Sequence, residues 1–103
     1  MKRGEVWWAK VDKRRPVVLV SRDEAYGVRS LVIVAPATTT VRGYAVEVRV
    51  GPREGLPRDC VVNCDWLVTL PKEDLLERAG TLAKSKLRQL DDALRFALGL
   101  DGG

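Results

Sequence analysis

Two short blocks carry residue types suited to work on a phosphate. In the first, Lys13, Arg14 and Arg15 lead into Pro16-Val17-Val18-Leu19-Val20-Ser21; in the second, Val32-Ile33-Val34-Ala35-Pro36 runs out into Ala37-Thr38-Thr39-Thr40. Each block is an apolar strand with a polar edge. A guanidinium can fork onto two phosphate oxygens without losing its charge, and a threonine hydroxyl can donate one directional hydrogen bond. Such groups suffice to orient a phosphodiester and to stabilise the negative charge that builds up on it. On residue types alone, Arg15 could equally be a surface cation and Thr38 a turn hydroxyl bonded to its own backbone.

These residues need a scaffold, and the hydrophobic pattern supplies one. Glu5–Val11 reads as a first strand. Val17–Val20 and Leu31–Ala35 are continuous β-branched runs, as expected of strands covered on both faces. Tyr44–Val50 alternates, which sends Tyr44, Val46, Val48 and Val50 inward and Glu47 and Arg49 outward. Cys60–Cys64 and Trp66–Leu70 give two more strands, with breaks at Gly43, Gly51-Pro52 and Gly55-Leu56-Pro57. Short, closely spaced strands over residues 1–70 indicate a small β-barrel. Residues 71–100 read as a helical turn at Pro71–Leu76 and an amphipathic helix from Lys84 to Leu98, its inner stripe Leu87, Leu90, Leu94, Ala97 and Leu98. Gly99 is its natural stop, and Asp101-Gly102-Gly103 reads as a loose tail.

Composition narrows the class. A chain of 103 residues makes one domain, residues 1–103, with a modest core. Hydrophobic residues at 46% and charged ones at 31% put it among folded globular proteins. No apolar run reaches membrane-spanning length and the N-terminus lacks an apolar signal region, so a cytoplasmic protein is expected. The net charge of +4 is concentrated early. Residues 1–30 carry Lys2, Arg3, Lys10, Lys13, Arg14, Arg15, Arg22 and Arg29 against Glu5, Asp12, Asp23 and Glu24, while the remainder is balanced. A polyanion or an acidic peptide is the natural partner of such a focus. Cys60 and Cys64 stand four apart, roughly 13 Å along a strand, too far for a mutual disulfide. With no histidine to complete a metal site, two reduced thiols and no metal or other cofactor are expected.

Several blocks, in this order and spacing, resemble the MazF/PemK family of toxin endoribonucleases. They are Arg3-Gly4-Glu5-Val6-Trp7, Arg15–Ser21, Val32–Thr40, Gly55-Leu56 to Asp59, Val61–Asp65, Gly80-Thr81-Leu82 and Leu90–Leu100. The resemblance spans roughly residues 3–100. It implies an SH3-like small barrel, mainly β with a C-terminal helix, in a homodimer. It also implies metal-independent, sequence-specific cleavage of single-stranded RNA, and an antitoxin whose acidic, disordered tail restrains the enzyme. The family's catalytic arginine and threonine fall on Arg15 and Thr38. Products with a 2′,3′-cyclic phosphate and a 5′-hydroxyl would follow, because RNA brings its own 2′-OH nucleophile.

Lys13 and Arg14 are expected to help Arg15 hold the RNA backbone, with Ser21, Thr39, Thr40 and Arg42 as further contacts along the strand edges. Asp65 and Trp66 are supporting candidates, Asp65 as an aid to proton transfer. Trp7, Trp8 and Trp66 could stack on bases, and Trp7 and Trp8 point to opposite faces, so at most one is expected in the core. Arginine as a ground-state base is disfavoured, since deprotonating it at pH 7 costs roughly 7 kcal/mol, at about 1.36 per unit. The chain departs from the family pattern at three places: the short link Val11–Arg14, Trp66 in place of a common glutamine, and Ala83-Lys84 in place of a Ser-Pro helix start. A non-catalytic binding barrel, or a CcdB-like topoisomerase poison on the same fold, is the alternative. The latter acts through a tryptophan near its C-terminus, where this chain reads Leu100-Asp101-Gly102-Gly103.

Overall fold

The computed structural model describes residues 1–100; the expected loose tail at 101–103 lies outside them. Seven strands and two helices follow one another: β1 (Glu5–Lys10), β2 (Arg14–Leu19), α1 (Ala25–Val28), β3 (Leu31–Thr38), β4 (Glu47–Val50), β5 (Cys60–Asn63), β6 (Val68–Pro71), β7 (Leu75–Thr81) and α2 (Lys84–Leu98). Every pairing is antiparallel, in the order β4-β5-β3-β2-β1-β7, with β6 also on β3. The fold is therefore mainly β, a curled half-barrel closed by a C-terminal helix.

Strand β3 makes the curl. One of its edges pairs with β2, while the other pairs with β6 along Leu31–Val34 and then with β5 at Ala37 and Thr38. The sheet is buried on both faces along Val17–Leu19 and Val34–Ala37, which accounts for the apolar runs there, but Leu31 and Ile33 are exposed, so the start of β3 is covered on one face only. Val6, Val18, Ala35, Val48, Val62 and Leu90 belong to one core, and Ala9, Val17, Leu19, Val32, Val34 and Leu70 to the other. Trp7 packs against the second core and Trp8 against the first, both partly buried, so each serves a core rather than only one of them. Helix α2 places Leu90, fully buried, in the first core and ends at Gly99, whose φ of 67° is left-handed. Its N-cap Ala83 makes no side-chain bond, as the missing serine implies.

Four local expectations need correction. Tyr44 is 60% exposed and lies outside any strand, because β4 begins only at Glu47. The Glu47 carboxylate instead accepts the backbone N–H groups of Arg42, Gly43 and Tyr44, at distances down to 2.7 Å, and ties that loop down. Residues 71–100 are not purely helical. The turn at Lys72–Asp74 is short, and β7 follows it to pair along β1. Trp66 and Leu67 precede β6 rather than open it, and Leu98 faces outward. The short helix α1 has no apolar period to announce it; Tyr26 anchors it by donating its hydroxyl to the Ser21 carbonyl at 3.0 Å.

Candidate active site

The link between β1 and β2 is only Val11-Asp12-Lys13. Val11 N–H donates to the Lys13 carbonyl at 3.0 Å, and Asp12 Oδ1 accepts the Lys13 N–H at 2.9 Å. This tight turn delivers Arg14 and Arg15 to the start of β2. On β3, Val17 is opposite Pro36 and Val18 opposite Ala35. Continued by two residues, the same antiparallel register sets Arg15 across from Thr38, which itself pairs with Val61 of β5. Arginine edge and hydroxyl edge thus meet because antiparallel strands bring the beginning of one to the end of the other.

Arg15 is held on three sides. Its Nε and Nη2 donate to Asp12 Oδ1 and Oδ2 at 2.6 and 2.9 Å, its Nη1 lies 3.5 Å from the Ala37 carbonyl, and its guanidinium sits 5.1 Å from the centroid of the Trp66 ring. The side chain is 18% exposed. The hydrogen-bonded carboxylate raises the pKa of Arg15 above its ordinary value, and Arg15 in turn holds the Asp12 carboxyl far below the usual carboxylate range. Both remain charged through the neutral range, which argues further against arginine as the base. Thr38 Oγ1 accepts the Thr40 N–H at 3.2 Å, leaving its own hydrogen for a substrate oxygen.

The two residues line one cleft of about 300 Å³, with Trp8, Lys13, Arg14, Pro16, Ala37 and Thr39 on one part of the wall and Leu56, Pro57, Arg58 and Cys60 on the other. Arg14 lies 5.0 Å from the centroid of the Trp8 ring and pairs with Glu77 at 3.1 Å. Lys13, Arg14 and Thr39 therefore line the same cleft as Arg15 and Thr38. Thr40 contributes its backbone to Thr38, and Arg42 lies off the cleft wall, its own N–H spent on Glu47.

Ser21 does not belong to this site. It is 8% exposed beyond the far end of β2, and its Oγ accepts the Ile33 N–H at 2.8 Å, a structural bond. Asp65 is exposed and off the cleft wall, donating its N–H to Asn63 Oδ1 at 2.8 Å, whereas Trp66 reaches the site through Arg15. Asp12 and Arg58 are the support and wall residues that a motif reading passes over, while Trp8, one of the three stacking candidates, lies on the wall. Cys60 and Cys64 are free and buried, and burial pushes both thiols up, Cys64 to about 11. Among the described residues, no cluster of three or more His, Cys, Asp or Glu could hold a metal ion.

The sequence profile of the PemK-like, MazF-like toxins of type II toxin–antitoxin systems matches residues 2–98. The chain belongs to the MazF/PemK family. It is 41% identical over 99 residues to the probable endoribonuclease MazF5 of Mycobacterium tuberculosis, covering 93% of this chain and 91% of that one. Endoribonuclease MazF3 of the same species is 42% identical over 93 residues, covering 90% of each. Among solved structures, the M. tuberculosis toxin MazF-mt6 superposes with a TM-score of 0.90 at 40% identity, over 94% of this chain and 98% of that one. A mycobacterial endoribonuclease in complex with its cognate antitoxin superposes with a TM-score of 0.88 at 29% identity, over 97% and 96%. The MazF/PemK fold is thus reproduced along nearly the whole described chain.

Proposed function

We propose that Arg15 and Thr38 carry the reaction of this endoribonuclease, the toxin of a type II toxin–antitoxin system. One observation supports the assignment above the others: Arg15 and Thr38 line one cleft, the guanidinium being fixed by Asp12 with only the 3.5 Å bond to the Ala37 carbonyl on its end edge. Single-stranded RNA enters with its scissile phosphate on that edge. The 2′-OH attacks the phosphorus as its proton passes to water, the P–O5′ bond breaks as O5′ takes a proton from water, and the ends are a 2′,3′-cyclic phosphate and a 5′-hydroxyl. Arg15 neutralises charge on the non-bridging oxygens, and Thr38 donates to the phosphate or to the departing O5′. Lys13, Arg14 and Thr39 track the flanking backbone.

The reaction needs no metal in this scheme, since RNA supplies the nucleophile and Arg15 the positive charge. A single one-domain chain, residues 1–103, would perform it in the cytoplasm; no helix among the described residues is long and apolar enough to cross a membrane. A homodimer is proposed, with Leu31 and Ile33, 52% and 42% exposed on the same side of β3, as apolar surface to be covered. The antitoxin's acidic tail would meet the basic excess of residues 1–30.

Cutting of a long single-stranded RNA in EDTA tests this reading. Sequence-limited cuts with 5′-hydroxyl ends should survive chelation, and Thr38→Ala should slow them about 10²-fold, the loss expected for one donor on a charged oxygen. RNA left whole by folded native protein, or cut equally by the variant, removes Thr38 from the mechanism.

The pH profile gives a second expectation. Asp12 is held low and stays ionised, Arg15 is held high and stays charged, and the Cys60 thiol in the cleft wall is pushed up and stays neutral. With no histidine in the chain, the logarithm of the single-turnover rate should show no inflection near pH 6.5, from about pH 5.5 to 7.5. A bend there would require a titrating group that this cleft does not provide.

A further inference from the structure

We propose that Asp12 is a positioning residue for the reaction: it holds Arg15 so that the guanidinium presents its end edge, rather than its side edge, to the scissile phosphate. The inference rests on the catalytic reading of the cleft.

A guanidinium has five N–H donors arranged on a side edge, Nε with Nη2, and an end edge, Nη1 with Nη2. Asp12 takes the side edge with two bonds of 2.6 and 2.9 Å. Nη1 reaches the Ala37 carbonyl only at 3.5 Å, so the end edge is scarcely spent, and it lies beside the residue that precedes Thr38. The Trp66 ring, 5.1 Å from the guanidinium carbon, covers one face of the plane. One edge and one face are therefore occupied, and the edge next to Thr38 is left for a phosphate.

Asp12 can do this because it is itself anchored. Its Oδ1 also accepts the Lys13 N–H at 2.9 Å, and the short link to β2 leaves its carboxylate little room to swing away. It stands three residues before Arg15, at the turn, while Arg15 lies on the strand. The carboxylate is half exposed and off the cleft wall, so it neither touches the substrate nor fills the site. An arginine side chain has several rotatable bonds, and a misplacement of about 1 Å can cost as much as 10²-fold in rate. Removing the anchor should therefore lower the chemical rate while sparing RNA affinity.

The test uses an oligoribonucleotide spanning a cut site mapped with the native protein, and the same strand with a 2′-deoxy sugar at that site, which binds but cannot react. Asp12→Ala and Asp12→Asn should lower the single-turnover rate about 30-fold. KM, and Kd for the deoxy strand, should stay within about twofold of native or tighten, since a negative charge has left the neighbourhood of a polyanion. Asp12→Asn keeps an acceptor for the Lys13 N–H, so its failure cannot be laid to an unfolded turn. In an Arg15→Lys background, which lacks the fork, the Asp12 substitutions should change the residual rate less than about threefold.

Equal or faster cutting by Asp12→Ala overturns the inference, the faster case making Asp12 a competitor of the phosphate. So does a loss confined to KM, which would make Asp12 a substrate contact, or a loss of full size in the Arg15→Lys background. A folded native protein that cuts no RNA overturns the catalytic reading as well; a native protein that cuts beside an Asp12→Ala variant that cuts equally well overturns this one alone.

Discussion

Arg15→Ala is expected to lower the single-turnover rate of RNA cleavage about 10³-fold without unfolding the protein. The magnitude follows from what is removed. A pre-set, doubly donating cation beside a developing dianionic phosphorane is typically worth 10³-fold or more in phosphoryl transfer. At about 1.36 kcal/mol per decade, that is roughly 4 kcal/mol of transition-state stabilisation. Arg15→Lys should recover only a small part of it, because an ammonium is a point charge that can neither fork onto two phosphate oxygens nor pair side-on with Asp12. Circular dichroism should report an intact fold in both, since the Arg15 side chain belongs to neither core. Cleavage within tenfold of native in Arg15→Ala would show that the positive charge acting on the phosphate comes from elsewhere in the cleft, with Arg58 and Lys13 the next residues to replace.

Gly55→Ala should destabilise the fold by about 3 kcal/mol. Gly55 closes the turn at Pro52–Glu54 with φ of 86°, a left-handed conformation costing an L residue roughly 1–2 kcal/mol. A Cβ there would also run into the backbone carbonyl of Ala79, and one on Gly80 into the carbonyl of Glu54. Two stretches of backbone are pressed together across these glycines, and backbone, unlike a side chain, has no rotamer by which to yield, so overpacking adds a further 1–2 kcal/mol or so. Gly43→Ala is the natural control. Its φ of 79° carries the same conformational cost, but no atom lies within 4 Å of the added carbon. Against a total of about 5–15 kcal/mol for a chain this size, Gly55→Ala should lower the melting temperature by roughly 15 °C and Gly43→Ala by roughly half of that. Equal shifts in the two would mean that the Ala79 contact relaxes freely and that only the dihedral matters.

The chemistry was more legible in the sequence than its support. Arg15 and Thr38 stand out because arginine before an apolar run and hydroxyls after one are compositional signals, and the order of blocks identifies the family. Ser21 carries the same kind of signal yet belongs to the wrong end of β2. A polar edge says nothing of which end it occupies, and the antiparallel register, not the residue type, separates Arg15 at the cleft from Ser21 beyond the strand's other end. Asp12 reads as an ordinary turn acid until Arg15 is seen to lie on it. Tyr44 fits a perfect alternation and is nonetheless outside, because a side chain three residues on, Glu47, offers its loop N–H groups a better partner than a strand would. Strand β7 is hidden for another reason. Leu75 is buried, but Leu76, Glu77 and Arg78 are all exposed, and its pairing with β1 shifts register twice, so no period-2 pattern survives to be read. By contrast the bounds of α2 are read correctly from Lys84 to Leu98, with only Leu98 misassigned to the inner stripe, since a single amphipathic helix needs no distant partner to declare its pattern.

The pairing of Val6 with Gly80 has a consequence in time. β1 is completed by β7, so it keeps an open edge while every residue from Lys10 to Leu75 is synthesised. At about 5–20 residues per second, that interval lasts several seconds. The hairpin bearing Arg15 can form early, but Val61 opposite Thr38, Trp66 against Arg15 and the Ala79 backbone against Gly55 arrive in that sequence, each later than the last. A nascent chain therefore cannot assemble its supported cleft before the codons for Val61, Trp66 and Ala79 have been read.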